Sequence, residues 1–507
     1  MLAMRVAFIA AECEPWAKTG GLGDVVDALA RALGRIPAGP EAPVDVFLPR
    51  YRAMTLPDGE HPRHRVRVPD PLSPIGSTEV TVVDIVSHGY RLRLIDHPPA
   101  YDRAGYYGEP SGGDFPDNAW RFGLFCRAAL ETLRADGRPI DVLHLHDWHA
   151  GPAVLLRDRF YADDPILGRA AAVMTIHNLA YHGWVPQDRL GQLGLVPGDT
   201  VVTPDAAGID LLWAGIVRSE LANTVSPGYA AESLTPEYGM GLDETLASKS
   251  MQLTRTGGPR YFGILNGLDT ALWDPSADTD LAARYDATDL GGKAVCRADL
   301  LRRHGMDPED PGPILGMIGR LDPQKGFDLL AAAAPRLVGL GARIIVQGSG
   351  DARLADPFRA LSAARPDAVA LVERFDRANA RRIYAGSDLF LMPSRFEPCG
   401  QGQMIALRYG TPPVVRRTGG LGDTVTDEME EPGAGNGFVF DDAAPDDLVA
   451  ACERAFAVRG RDGSTARWGE VIQRGMALDH AWEIGAAPRY AAAYRDAIDL
   501  RRSAEPG

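Results

Sequence analysis

The residues able to do chemistry in this 507-residue chain are charged groups set among glycines. In Lys18-Thr-Gly-Gly-Leu-Gly-Asp24, a cation stands beside Gly20, Gly21 and Gly23. Glycines let a backbone approach a ligand closely, and a helix starting there offers free N–H groups and a partial positive charge to an anion. Lys18 adds a full charge. The dinucleotide fingerprint is only half present, because Val26 fills the place of its third glycine, and the Walker lysine pattern is missing. A plain tight turn would use the glycines but not the lysine, so anion binding is the stronger reading. The hexapeptide TGGLGD returns at Thr418 to Asp423, 418 − 19 = 399 positions further on.

Three more clusters matter. "GRLDPQKGFD" (319–328) holds Arg320 and Lys325 between a strand pattern and a helix pattern, and two cations there suit a diphosphate. "PSRFEPCGQG" (393–402) places Glu397, Cys399 and Gly400 just before a helix, where free amides could meet a phosphate or a sugar hydroxyl. Glu397 would also serve there as a cap, and Cys399 reads as an inert thiol rather than a nucleophile. "HLHDWHAG" (144–151) suggests a metal, since His144 and His146 share one face of a strand. Yet Asp147 follows His146 directly, which is the wrong order for an H-x-H-x-D-H hydrolase, and no partner cluster completes a coordination sphere. No metal is expected. Asp147 is read as a strand-end carboxylate before a helix-capping turn, and His177 of "TIHNLAYHGW" ends another strand at the same sheet edge.

The elements that must position these groups are short apolar runs alternating with helical patterns. Runs 5–12, 44–50, 141–147, 171–178 and 221–227 form one series, and 314–322, 342–350, 369–376, 388–398 and 412–420 a second. Continuous apolar strands separated by helices mean parallel sheets covered on both faces. Two series predict an α/β protein of two doubly wound, Rossmann-like domains, with ligands beyond the carboxyl ends of the strands. The predicted divisions are 1–260, 261–480 and a C-terminal helical segment 481–507, which needs a surface for Trp482, Tyr490 and Tyr494 and could pack back on the first domain. "HPRHRVRVPDPLSPIGS" (61–77) reads as a surface excursion, and Asp278-Thr279-Asp280 as a polar linker.

A formal net charge of −15 argues against a generic nucleic-acid or anionic-membrane surface. No stretch has membrane-spanning apolar length, and the start reads as a buried strand rather than a signal peptide. Five scattered cysteines imply no disulfide framework, so a reduced, cytoplasmic protein is expected.

Taken together, "KTGGLGDVV", "HLHDWHAG", "TIHNLAYHG", "TVSPGYAAESLTPEYGMGL", "GILNGLDTALWDP", "GRLDPQKGFD", "PSRFEPCG" and "TGGLGDTV" resemble, in order and over nearly the whole chain, the bacterial glycogen synthases and plant starch synthases. The resemblance implies two domains facing across a cleft (GT-B), the first on the acceptor side and the second on the nucleotide-sugar side. It implies transfer of glucose, with retention, from ADP-glucose to the 4-hydroxyl at the non-reducing end of an α-1,4-glucan, elongating glycogen.

Carried over by position, Lys18, Gly20, Gly21 and Asp24 face the donor from the first domain, Asp147 lies near the reacting glucose and His177 beside the anomeric carbon. Asn266 lines the hinge side, and Phe375 lies against the adenine. Arg320 and Lys325 neutralise the departing diphosphate. Glu397 holds glucose hydroxyls with Cys399 and Gly400 beside it, and Thr418, Gly419 and Gly420 touch the donor through backbone groups.

The two TGGLGD copies would then be lips of one cleft that closes over the donor. No cofactor is implied, because lysine and arginine take the metal's role. One departure stands out: the family continues Glu-Pro-Cys-Gly with Leu, whereas this chain has Gln401 and Gly402. Retention by a carboxylate nucleophile or by front-face attack is left open by the sequence, with the front-face route favoured. The rival readings are a related transferase using UDP-glucose or another acceptor, and a non-catalytic glucan-binding protein.

Overall fold

The computed structural model describes residues 4–37, 39, 43–109, 112–196 and 207–504. The chain forms two compact units, the first made of Met1–Val225, Ala230–Gly267 and Trp482–Gly507, the second of Ser226–Tyr229 and Leu268–Ala481.

Strands β1 (Val6–Ile9), β2 (Asp45–Pro49), β6 (Val142–His146), β7 (Ala171–Ile176), β10 (Leu221–Thr224) and β11 (Tyr261–Gly263) of the first unit run parallel. Their residues are almost all buried, as expected of a parallel sheet with helices on both faces. Three further strands, β3 (Arg63–Pro69), β4 (Ser77–Ser87) and β5 (Tyr90–Asp96), extend this sheet in the order β11-β10-β7-β6-β1-β2-β5-β4-β3, with β3 and β4 antiparallel to their neighbours. The stretch 61–77 is thus not a mere surface excursion. In β3, Val66 and Val68 face inward while Arg65 and Arg67 face water, a period-two alternation that suits the edge of a sheet. A separate hairpin pairs β8 (Trp184–Pro186) with β9 (Gly208–Asp210).

The second unit holds β12 (Ile314–Leu321), β13 (Arg343–Gly350), β14 (Val369–Val372), β15 (Leu389–Met392), β16 (Pro413–Arg416) and β17 (Phe438–Phe440), all parallel, in the order β14-β13-β12-β15-β16-β17. Asp278, read from sequence as part of a linker, is buried: Tyr409 Oη donates to it at 2.6 Å and Arg381 pairs with it at 3.0 Å. It anchors the start of this unit.

Each sheet reverses its winding between two neighbouring strands. In the first the reversal lies between β1 and β6, and in the second between β12 and β15. A crevice opens beyond the carboxyl ends at such a point, because the following helices leave to opposite faces. Lys18 and Glu397 lie on the loops after β1 and β15, Asp147 opens the helix directly after β6, and Arg320 is the last residue but one of β12.

The helix Ala486–Ser503 belongs to the first unit. Tyr490 and Tyr494 on it are fully buried, and it packs against β7 and the helix Gly21–Leu33.

Candidate functional site

The first switch point is built around two buried carboxylates. Three residues past β1, Glu12 accepts from the Thr19 amide (2.6 Å), the Thr19 hydroxyl (2.5 Å), the Gly20 amide (3.2 Å) and the Tyr107 hydroxyl (2.6 Å). It folds the Lys18 loop back over the strand end. Lys18 Nζ reaches Asp24 at 2.5 Å and Glu14 at 4.0 Å and stays partly exposed. Burial pushes the Asp24 carboxyl up, and the Lys18 charge opposes this. The helix Gly21–Leu33 starts from Gly20 with no side chain capping its N-terminus, and a Cβ on Gly20 or Gly21 would meet nothing within 4 Å. These two glycines therefore lie against open space.

Asp147 opens the helix Asp147–Phe160 at φ 57, in the left-handed region. A non-glycine residue held there is strained, and such strain concentrates at functional sites. Its carboxylate does not cap its own helix. It reaches across to β7's exit, where it accepts from the His177 amide at 2.7 Å and from the Asn178 amide. Burial, the largest influence, lifts its pKa to about 7 against those two donors. His177 is itself desolvated and pushed down to about 3, so it is a neutral imidazole. Asn266 is buried with its Oδ1 unpartnered among the described residues, while its amide donates to Val225 O at 3.3 Å.

At the second switch point, Lys325 Nζ donates to Glu397 Oε2 at 2.6 Å, and the Ser394 hydroxyl donates to the same oxygen at 3.0 Å. Asp322 caps the single turn Pro323–Lys325 that aims the lysine, and Gln324 Nε2 donates to Phe396 O at 3.0 Å, tying the two loops together. Gly326 at φ 72 is obligatory, since a Cβ would lie 2.1 Å from Pro393 O. Arg320 is exposed, and its side chain makes no hydrogen bond or ion pair among the described residues. Phe375, just past β14, leaves 76% of its surface exposed.

The glycines of the second TGGLGD are packed against backbone. Gly419 sits at φ 43 with its Cβ direction 2.1 Å from Glu397 O, and a Cβ on Gly420 would lie 2.1 Å from Cys399 O. The Gly420 amide is already donated to Glu397 O at 3.1 Å, and Thr418 O accepts from the Leu421 amide at 3.0 Å. These glycines admit the Glu397 loop. Asp423 accepts from the Gly228 amide at 2.7 Å, and Ser226 Oγ donates to Pro398 O at 2.6 Å, fixing that loop from its other side. Cys399 is buried. Gly400 at φ 72 is followed by Gln403, whose Nε2 donates to the carbonyls of Cys399 and Gly400 at 3.1 Å each. Gly402, where the chain departs from the expected pattern, leaves room for Phe390, Met392 and Tyr384, whose atoms lie 3.0–3.4 Å from the Cβ it lacks.

The structure thus joins Lys18 to Asp24, Asp147 to His177, and Lys325 to Glu397, and stacks Gly419 and Gly420 on the Glu397 loop. Sequence reasoning missed Glu12, Ser394, Gln324 and Ser226. The one available signal was a carboxylate, Glu12, immediately after an apolar strand. Among the described residues no group of three or more His, Cys, Asp or Glu is placed to hold a metal ion.

Two Rossmann-like units, with Lys325 and Glu397 paired at a switch point and Arg320 at the end of β12, its side chain without a partner among the described residues, are the arrangement of one class, glycosyltransferases of the GT-B fold. The description "Starch synthase catalytic domain" matches residues 5–248, and "Glycosyl transferases group 1" matches residues 312–457. A glycogen synthase of Anaeromyxobacter dehalogenans is 42% identical over 97% of this chain and 99% of its own, and one of Syntrophotalea carbinolica 38% over 99% and 100%. The catalytic domain of starch synthase IV from Arabidopsis thaliana, bound to ADP and acarbose, superposes with a TM-score of 0.86 at 33% identity, covering 98% of this chain and 99% of that one. A sucrose-phosphate synthase from Thermosynechococcus elongatus, at 19% identity and a TM-score of 0.58 over 97% and 98% of the two chains, shares the fold. The chain belongs to the glycogen synthase and starch synthase family.

Proposed function

We propose that the protein is an ADP-glucose-dependent glycogen synthase, moving glucose with retention to the non-reducing 4-hydroxyl of an α-1,4-glucan. The observation that carries this reading is the pair of cations at the end of β12 and just beyond it: Arg320, its side chain unpaired among the described residues, and Lys325, held by Glu397. When the C1–O bond to the diphosphate breaks, its electron pair passes to the leaving phosphate. Fixed cations stabilise that charge as it develops, which lowers the barrier rather than merely tightening binding. The acceptor oxygen bonds C1 on the face the phosphate leaves, and its proton passes to a phosphate oxygen. His177, neutral at physiological pH, takes no proton in this scheme and serves as a hydrogen-bonding group beside the sugar.

In this reading Lys18 meets the diphosphate and Asp147 the developing positive charge on the ring. Glu397 holds glucose hydroxyls, and Phe375 stacks on the adenine. With the cations supplied by side chains, no metal is required, and the rate should be unchanged by EDTA. The five cysteines, all free, fit a reducing cytoplasm. Among the described residues no helix is long and apolar enough to cross a membrane.

The test is nucleotide release from ADP-glucose and from UDP-glucose with a glycogen primer. Glucan-dependent ADP release is the expected result. Preference for UDP-glucose would move the protein to another donor class, and glycogen binding without release from either donor would refute the enzyme reading.

A further inference from the structure

Beneath the first switch point lies a layer of buried polar groups whose proton positions follow from chemistry. Tyr494 Oη lies 2.8 Å from His144 Nδ1, and His144 Nε2 lies 2.7 Å from Thr175 Oγ1. Thr175 Oγ1 donates to Asn223 Oδ1 at 2.8 Å, and Asn223 Nδ2 donates to Tyr490 Oη at 3.1 Å. Because the threonine's one proton is given to Asn223, it must accept from His144, whose proton is therefore on Nε2. His144 Nδ1 then accepts from Tyr494. The register places these groups side by side, with His144 opposite Val173 and His146 opposite Thr175, and the C-terminal helix clamps the row at both ends.

The His146 ring lies over this fixed row, its centroid 4.1 Å from that of His144, and its Nδ1 sits 3.0 Å from His177 Nε2. Burial keeps both rings neutral, so one proton lies between them and two arrangements are possible. If His177 donated, the His146 proton would sit on Nε2, which is buried with no partner among the described residues. That would orphan a buried N–H, the rarer and costlier fault. If His146 donates, its Nε2 is merely an unused lone pair.

We propose that His146 is a positioning residue: its Nδ1–H donates to His177 Nε2 and thereby fixes the His177 proton on Nδ1, the nitrogen left free to meet a substrate oxygen. The consequence is a neutral, single-tautomer donor at the mouth of β7, its direction set from beneath by a row that the C-terminal helix holds in place. The catalytic part of this inference rests on the reading of His177 as a sugar-facing group, but the tautomer does not.

The test uses the full-length protein labelled with nitrogen-15 in histidine, with His177→Gln to assign the His177 signals. The expected spectrum shows His177 protonated on Nδ1. Asparagine can mimic the Nδ1 donor of histidine, so His146→Asn should keep that tautomer and a turnover within about threefold of the parent. His146→Leu should give mixed tautomers and a fall in kcat of about tenfold, the worth of one neutral hydrogen bond. An Nε2-protonated His177 in the parent would overturn the proposal. So would an unchanged His177 tautomer in a folded His146→Leu protein. If that variant does not fold, the parent and His146→Asn spectra still decide. Absence of transferase activity with an Nδ1-protonated His177 would count against the function, not the tautomer.

Discussion

Asp147→Asn separates burial from charge at the first switch point. Asp147 is 9% exposed, and its pKa rises from an ordinary 3.8 to about 7. Folding therefore favours the protonated form. The stability it contributes is complete below pH 3.8 and is lost as pH climbs toward 7, reaching a deficit of about 4 kcal/mol above it at ~1.4 kcal/mol per pH unit. Asparagine keeps a carbonyl oxygen for the His177 amide and carries no charge. Relative to the parent, the variant should gain about 3 kcal/mol between pH 5 and pH 8, because only the parent holds a proton in the folded state that unfolding must release over most of that range. Urea unfolding followed by tryptophan fluorescence at pH 5, 6, 7 and 8 measures the gap, and comparing two proteins that differ at one residue cancels every other titration. Turnover should move the opposite way: if the carboxylate faces a developing cation, parental kcat rises through pH 7 and the variant's stays low and flat. A stability gap that is flat with pH, or that widens as pH falls, would refute the account of a desolvated carboxyl.

Removing one charge should be costly to turnover and, for Arg320, harmless to the fold. Lys18→Ala or Arg320→Ala should lower kcat by about two to three orders of magnitude, and Arg320→Ala should melt like the parent because its side chain has no partner among the described residues. Lys325→Ala should also lose about 1–3 kcal/mol in a melting experiment, since Glu397 is left buried with Ser394 as its one side-chain donor among the described residues. Phe375→Ala should raise KM for the nucleotide sugar about two- to tenfold with kcat unchanged, as stacking on an exposed ring is worth about 0.5–1.5 kcal/mol. The two TGGLGD copies should respond in opposite ways: Gly21→Ala should leave melting unchanged while weakening donor binding, and Gly420→Ala should unfold or strongly destabilise the protein. Equal effects from the glycine pair would contradict the packing described.

The parallel strands were legible because strands buried on both faces leave an unbroken apolar record, as in "VAFI" and "AAVMTI". Ligands of such sheets bind beyond the carboxyl ends of the strands, so Lys18, Asp147, Arg320 and Glu397 could be chosen as polar groups at those ends before any contact was known. The antiparallel extension β3–β5 was not legible, because "RHRVRV" is short and flanked by proline, and two inward valines are a weak signal. The tyrosines that clamp His144 were invisible for a different reason. Nothing in a helix 350 residues downstream announces which strand it will return to.

The repeated hexapeptide shows where local sequence stops being informative. Both copies are strand-to-helix turns with glycines at the same places and an aspartate in or near the first helical turn. After β1 the chain finds a buried Glu12 to gather the loop from below, so Gly20 and Gly21 are left against open space. After β16 the neighbouring loop is Glu397–Cys399, whose carbonyls fill the space a side chain would need. A glycine against open space and one against a carbonyl are the same letter. What distinguishes them is whether anything occupies the position of the missing Cβ: nothing lies within 4 Å of it at Gly20 and Gly21, and a carbonyl of the Glu397–Cys399 loop fills it at Gly419 and Gly420.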